Sequence, residues 1–287
     1  MEIANRTIWT LWHQGFDKAP PLVRACVDSW RRLNPEWRVV SLDQHTVHDW
    51  IELADAIDLQ RRDLTVQKIS AIARLCLLRR YGGVWTDATV FCLRPLDRWL
   101  ADYYSAGFVT FRNPGPDRLI SNWFIASEHN GALLAGLHDA FLGFMNGTIF
   151  SNQDTEAGRS ALARLGPILN RDVRRSTRWL SPWVQNRVRT YPYFIFHYTF
   201  NKLILTNPDL RALWEQAPPL DAGPPHSLQA LAEKDDGLGQ ALDAIDRGSW
   251  MLQKLDWRID LAAPYWNAVM KRLDEHVTRS EPAVPPL

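Results

Sequence analysis

The residues with most chemistry in them fall in one block, Lys68 to Thr89, which reads KISAIARLCLLRRYGGVWTDAT. Asp87 directly follows a short apolar strand candidate, Val84-Trp85-Thr86, which itself follows the break at Gly82-Gly83. A carboxylate at a strand end is placed either to hold a divalent ion or to cap the next turn. Mg²⁺ or Mn²⁺ commonly takes one or two carboxylates and fills its shell with phosphate oxygens and water, so such an ion would neutralise a diphosphate leaving group. Arg74 is the second oddity. On a helix it falls between Leu77 and Leu78, with Ser70 one turn before it. A charge among apolar neighbours needs a buried partner or a ligand. Asp43, at the end of a second strand, is either a ribose or base contact or a helix N-cap. His197, in FHYTF, is either a further metal ligand or a core histidine among aromatics. Lys254, in QKLDWR, is either a point charge for a diphosphate or a solvated charge. Ser249-Trp250 is a candidate lid segment.

The elements that must position these groups read as α/β. Thr7 to Leu11 is a buried-strand pattern, and WHQGFDKAPP after it is a loop. Pro20-Pro21 opens a helix to about Leu33, because proline is tolerated in a first turn. Trp37 to Leu42 is a second strand, and Gln44 to Ala56 reads as a helix. The order β-loop-α-β-α predicts parallel strands with helical crossovers. Thr65 to Arg80 is the best helix, with Val66, Ile69, Ala73, Cys76 and Leu77 as its stripe and Lys68 and Arg79 facing solvent. Further strands are expected at Phe108–Phe111, Trp123–Ala126 and Tyr193–Phe196, and helices at Gly131–Met145 and Thr155–Leu169. Ligands of an open parallel sheet bind at the carboxyl ends of its strands. That is where the loop after Leu11, Asp43 and Asp87 should gather.

Composition excludes several classes. At 287 residues, 46% hydrophobic and 23% charged, the chain is neither disordered nor collagen-like. A net charge of +1 gives no field to hold nucleic acid. The basic residues divide into six Lys and 27 Arg, and there are 14 Trp, which serve as core, anchors or stacking platforms. The three cysteines, Cys26, Cys76 and Cys92, lie among apolar neighbours and read as buried free thiols in a reducing cytoplasm. No secretory signal and no eighteen-residue apolar span is visible. The stretch Arg171 to Arg189, with Trp179 and Trp183 interleaved, is either a contact for an anionic acceptor or membrane surface, or an exposed face. Gly82-Gly83 precedes its strand, so it is not a dinucleotide fingerprint.

The block Lys68–Thr89 resembles the central motif of the capsular polysaccharide synthesis proteins, relatives of the DXD-containing sugar transferases of the glycosyltransferase family 32 type. The opening IWTLWHQGFDKAPPLVRACVDSW and SNWFIAS at Ser121–Ser127 carry the same resemblance, which is continuous from about Ile8 to Ser127 and weaker over FIFHYTFNKL and QKLDWR. It implies a GT-A-type α/β fold with a mostly parallel central sheet flanked by helices. It implies one domain over 1–280, with a donor half to about 130 and an acceptor and lid half from 131; the tail at 281–287 is expected to be disordered from its own Pro-rich composition. It also implies a nucleotide-sugar donor, UDP by preference, Mn²⁺ or Mg²⁺, retention at the anomeric carbon, and a glycan acceptor, free or lipid-linked. On this chain Trp12 would stack on the base, with Gln14 beside it. Arg74 would touch the donor's phosphate or sugar, with Ser70 nearby. Trp85 would line the donor pocket, Asp87 would match the first aspartate of the DXD, and Asn122 would approach the transferred sugar. Read from the residues themselves, Asp43 and Lys254 join these expected donor contacts, with Thr89, and His197 joins Asp87 as an expected metal ligand. Two positions depart from the wider pattern: Thr89 replaces the second aspartate, as in the capsule-type branch, and Ala71 replaces an aspartate that contacts sugar hydroxyls. The reading that follows is a cytoplasmic, metal-dependent transferase acting on a surface glycan, with peripheral membrane contact through Arg and Trp surfaces. The rivals are an effector that glycosylates a host protein, and a non-catalytic sugar-nucleotide-binding scaffold. On the leading reading, Asp87→Ala abolishes transfer with little change in melting temperature.

Overall fold

The computed structural model describes residues 4–281. The expected tail therefore lies, apart from Glu281, outside the described residues. Among the described residues seven strands form: β1 (Thr7–Leu11), β2 (Arg38–Leu42), β3 (Gly83–Thr86), β4 (Val90–Cys92), β5 (Phe108–Gly115), β6 (Arg118–Ser127) and β7 (Leu252–Lys254). The α-helices are α1 (Pro21–Leu33), α2 (Leu53–Ala56), α3 (Val66–Tyr81), α4 (Leu100–Tyr103), α5 (Ala132–Asn146), α6 (Glu156–Leu169), α7 (Val173–Ser176), α8 (Ile195–Thr206), α9 (Pro208–Gln216), α10 (Ser227–Leu231), α11 (Gly237–Asp246) and α12 (Pro264–Ser280). None is long and apolar enough to cross a membrane among the described residues.

The main sheet has the order β2-β1-β3-β6-β5. β1 pairs in parallel with β2 and β3, but β6 runs antiparallel to both β3 and β5. The sheet is thus mixed, not mostly parallel as expected. The cause is local. Only Pro116 and Asp117 separate β5 from β6, and so short a connection can join only antiparallel neighbours. Both strands are also longer than their apolar cores suggested. A second, two-stranded sheet pairs β4 with β7 antiparallel, Val90 opposite Lys254.

Alternating residues send their side chains to opposite faces of the main sheet, and each face has its own core. Trp9, Trp85 and Ile125 pack on one face with α3, α5 and α8, while Ile8, Val84 and Phe124 pack on the other with α1, α11 and α12. Residues on either side of position 130 contribute to both cores.

Two expected elements differ. The segment 44–56 forms a 3₁₀ turn at Thr46–Asp49 and the short α2, not one helix. Between them Trp50 turns inward, edge-on to Trp9 at 4.8 Å and to Tyr81 at 5.7 Å, and that anchoring breaks the helical path. The run Tyr193–Phe196 is not a strand: Ile195 begins α8, which buries residues on every side, Ile195 through Asn201 in succession. A helix enclosed all round carries no amphipathic contrast, so a short apolar run from it looks like a buried strand.

Candidate active site

The local geometry of α3 and β3 brings the key pair together. α3 opens on Thr65, whose Oγ1 accepts from the Lys68 N–H, and closes at Gly82. Gly82 and Gly83 have φ of +69° and +91°, the left-handed region that glycine tolerates. A Cβ on Gly83 would stand 2.5 Å from the Thr7 carbonyl oxygen, so only glycine lets α3 reverse directly into β3 beside β1. The reversal sets Asp87 against Arg74: Arg74 Nη2 donates to Asp87 Oδ1 at 2.9 Å. Trp85 Nε1 donates to the same oxygen at 3.0 Å. The Asp87 N–H is tied to the Trp123 carbonyl at 2.8 Å, which places Asn122 of β6 at the same edge.

These residues line one cleft of about 640 Å³ at the carboxyl ends of β1 and β3, within the usual range for ligand sites. The structure brings Trp12, Gln14, Ser70, Arg74, Asp87, Thr89, Asn122 and Lys254 to its wall, eight of the expected site residues. The loop carrying Trp12 and Gln14 is held by main-chain bonds: the Trp12 N–H donates to the Leu42 carbonyl, and the Gln44 N–H to the His13 carbonyl. Lys254 arrives from far along the chain on β7. Its Nζ donates to Thr89 Oγ1 at 2.5 Å, and the Leu255 N–H donates to the Thr89 carbonyl at 2.9 Å.

Three expected residues stand elsewhere. Trp85 is fully buried beneath the cleft, not lining it; its indole orients Asp87 and its ring lies 4.7 Å from the Arg74 guanidinium carbon. Asp43 is turned onto its own loop ahead of the 3₁₀ turn: Oδ1 accepts from the N–H groups of Thr46 and His45, both at 2.8 Å, and these bonds hold its carboxyl below the usual range. His197 is buried between Phe194 and Phe196, and burial with the fields of Arg118, Lys68 and Arg74 pushes its pKa well down. It does not share the cleft wall with Asp87. Ala71, on α3, is buried in the first core, and Trp250 packs against the second core and does not line the cleft.

Lys68 corrects a further expectation. It is buried, not solvent-facing: Nζ donates to the Tyr193 carbonyl at 2.7 Å and lies 5.4 Å from the rings of Tyr191 and Tyr193. Burial, then the field of Arg74, lowers its pKa to about 7. This contact fixes Tyr193, 67% exposed, in the cleft wall. Tyr193 and Trp257 are site residues that motif reasoning missed. Trp257, 50% exposed, stands edge-on to Trp12 at 6.3 Å. Its signal lay in QKLDWR, the segment that also carries Lys254.

The cleft's charges are unequal. Lys18, Arg74 and Lys254 line it, with Asp87 as the single carboxylate among the described residues. Arg74 is 3% exposed, its Nε and Nη1 have no partner among the described residues, and burial lowers its pKa. The side chains do not make up a resident divalent site. Asp87 has only Oδ2 to offer, Thr89 Oγ1 holds an ammonium, and no cluster of three metal-ligating side chains exists among the described residues. The three cysteines are unpaired, and burial raises the pKa of each, that of half-buried Cys76 to about 11.

An α/β sandwich with a polar cleft at its strand ends is the setting in which the comparisons with known proteins fall. The family model of the capsular polysaccharide synthesis proteins matches residues 1–149, just over half of the chain. The chain belongs to that family. Curated relatives include the O-glycosyltransferase braB of Annulohypoxylon truncatum, 27% identical over 146 residues, and the O-glycosyltransferase PaGT of Phomopsis amygdali, 31% identical over 157 residues. These matches cover 44% and 48% of this chain but only 35% and 38% of the relatives, so the likeness spans well under half of their length. Among solved structures, the glycosyltransferase domain of the YGT toxin aligns with a TM-score of 0.38 at 11% identity, over 93% of this chain and 89% of that one.

Proposed function

We propose that this chain is a glycosyltransferase of the GT-A type, moving one sugar from a nucleoside-diphosphate donor to a hydroxyl of a glycan acceptor with retention at the anomeric carbon. One observation carries the reading: a fully buried arginine with two nitrogens unpartnered among the described residues forms part of a strand-end cleft that holds three side-chain cations and one carboxylate. Such a site favours a compact polyanion and stabilises negative charge as it develops. The names of the relatives, O-glycosyltransferases, agree with it.

In this reading the bond from the anomeric carbon to the diphosphate oxygen breaks, and its electron pair goes to the diphosphate. The acceptor oxygen forms the new bond to that carbon, and its proton passes to the departing diphosphate. Arg74 donates to that oxygen, held in place by Asp87 and by the ring of Trp85. Trp12, with Trp257 across from it, takes the base, while Ser70, Gln14 and Asn122 offer polar groups to sugar and ribose. Asp87 is already bonded to Arg74 and Trp85, so no carboxylate of the cleft is free to act as nucleophile, and same-face displacement follows. Toward the expected Mn²⁺ or Mg²⁺, Asp87 Oδ2 is the carboxylate oxygen of the cleft that neither Arg74 nor Trp85 engages.

A thermal-shift panel of nucleoside-diphosphate sugars, followed by assay of diphosphate release with hydroxyl acceptors, tests the proposal. One donor should stand out, adding roughly 2.7 kcal/mol at 100 times its Kd. It should release its diphosphate faster once acceptor is added. Binding without release under any acceptor would make the chain a scaffold, and a flat panel would remove the donor reading.

A further inference from the structure

The contact between Lys254 and Thr89 bears on the donor site, and its interpretation rests on the nucleotide reading above. Position 89 is where a two-carboxylate motif would place its second acid. Here it is a hydroxyl, and the hydroxyl is already engaged: Thr89 Oγ1 accepts from Lys254 Nζ at 2.5 Å. The ammonium is not a wandering surface charge. Lys254 sits on β7, in register with Val90 of β4, and the Leu255 N–H clamps the Thr89 carbonyl at 2.9 Å. A second, weaker bond to the Leu255 carbonyl at 3.3 Å fixes its head group further. The small sheet β4–β7 thus delivers a cation to the residue that would otherwise help to recruit one.

Asp87 complements this. Its Oδ1 receives both Arg74 and Trp85, so the first acid of the motif is also committed to side-chain cation and indole. Arg74 borders the cleft with its Nε and Nη1 buried and without partners among the described residues, and Lys18 lines the same cleft. Three protein cations facing one carboxylate leave a surplus of positive charge, the sign needed opposite a diphosphate.

We propose that Lys254, seated on Thr89, acts with Arg74 as the built-in counter-charge of the donor's diphosphate, so that the donor binds without a divalent ion. Lys254 is then a phosphate-binding residue, and the fold around β7 supplies what the second carboxylate and its metal would supply elsewhere.

Calorimetric titration of the full chain with UDP, GDP, ADP and CDP, in excess EDTA and in Mn²⁺, tests this. The best diphosphate should bind in EDTA within about threefold of its affinity in Mn²⁺. Lys254→Met should weaken binding in EDTA by about tenfold or more, roughly 1.4 kcal/mol. Lys254→Arg, which keeps the charge on β7, should restore most of it; this separates charge from fold, as does the melting curve of each variant. Thr89→Asp should pair with Lys254, weaken binding in EDTA and make Mn²⁺ restore it. Binding that needs Mn²⁺ in the wild type, or Lys254→Met binding as wild type does in EDTA, overturns the proposal while leaving the transferase reading standing. Failure of every diphosphate in both conditions overturns the transferase reading itself.

Discussion

Asp87 and Arg74 should respond to mutation very differently, and the difference follows from where each side chain sits. Arg74 is 3% exposed, caged between the rings of Trp85 at 4.7 Å and Phe196 at 5.6 Å. Asp87 is 29% exposed and keeps a bond from the Trp85 indole whatever happens to Arg74. Asp87→Ala therefore strands a buried guanidinium, with Lys68 and His197 close enough for its field to lower their pKa values. Breaking a buried pair in this way costs about 3–5 kcal/mol. At roughly 2–4 °C per kcal/mol for a protein approaching this size, the variant should melt at least about 6 °C below wild type. Arg74→Met removes the buried charge, fills an aromatic cage and leaves a carboxylate that water can reach, so its cost should stay within about 1 kcal/mol. The double variant should track Arg74→Met, because the penalty in Asp87→Ala belongs to the arginine. The sequence reading, that Asp87→Ala leaves the melting temperature nearly unchanged, is thus revised by the structure. The assay is thermal unfolding by circular dichroism without nucleotide. Equal losses in the two single variants, or full additivity in the double, would refute the reasoning.

Two further outcomes are expected. Lys68 titrates near 7 when folded against an ordinary 10.5, so between those values the unfolded chain binds more protons and stability rises with pH; below about 7 the desolvation cost is present in full. Lys68→Met should flatten that rise and add stability on the order of a few kcal/mol near pH 6, as read from urea unfolding at about pH 6 and pH 9; an unchanged pH slope would count against a buried Lys68. Among the glycines, Gly83→Ala combines φ of +91° with a Cβ 2.5 Å from the Thr7 carbonyl oxygen, and should cost about 3 kcal/mol or more. Gly143→Ala, inside α5 with open space around it, should gain about 0.5–1 kcal/mol by the same urea assay.

What the sequence made legible was mostly what is local. The run from α3 through Gly82-Gly83 to Asp87 could be read because helix, positive-φ turn, strand and strand-end acid lie within about two dozen consecutive residues, each with its own signature. Arg74 stood out because a charge interrupted an apolar face. Lys68 reads as solvent-facing for the complementary reason: α3 is covered on more than one side, so a position off the main stripe is still inside, beneath Tyr191 and Tyr193. Tyr193–Phe196, which runs into the start of α8, reads as a strand because burial all round erases the 3.6-residue period. The antiparallel β6 was shortened because Arg118 to Ser121 do not read as apolar, although the turn at Pro116-Asp117 forces them into the ladder. At the site, Tyr193 and the seat of Lys254 depend on contacts no local pattern encodes; Thr89 and Lys254 are 165 residues apart.

The buried arginine links these two levels. A guanidinium between Trp85 and Phe196 with Nε and Nη1 unpartnered is costly, since each buried donor without an acceptor forfeits about 1–3 kcal/mol. Methionine or leucine would fill the same cage at no such cost, so packing alone gives no reason for arginine at position 74. Asp87 offsets only part of the charge, through one of the guanidinium's three nitrogens. A ligand that brings several acceptor oxygens to one side of that group satisfies the remaining donors and offsets the surplus charge together. A diphosphate does both, whereas a neutral sugar would do only the first and an isolated carboxylate would leave most of the second.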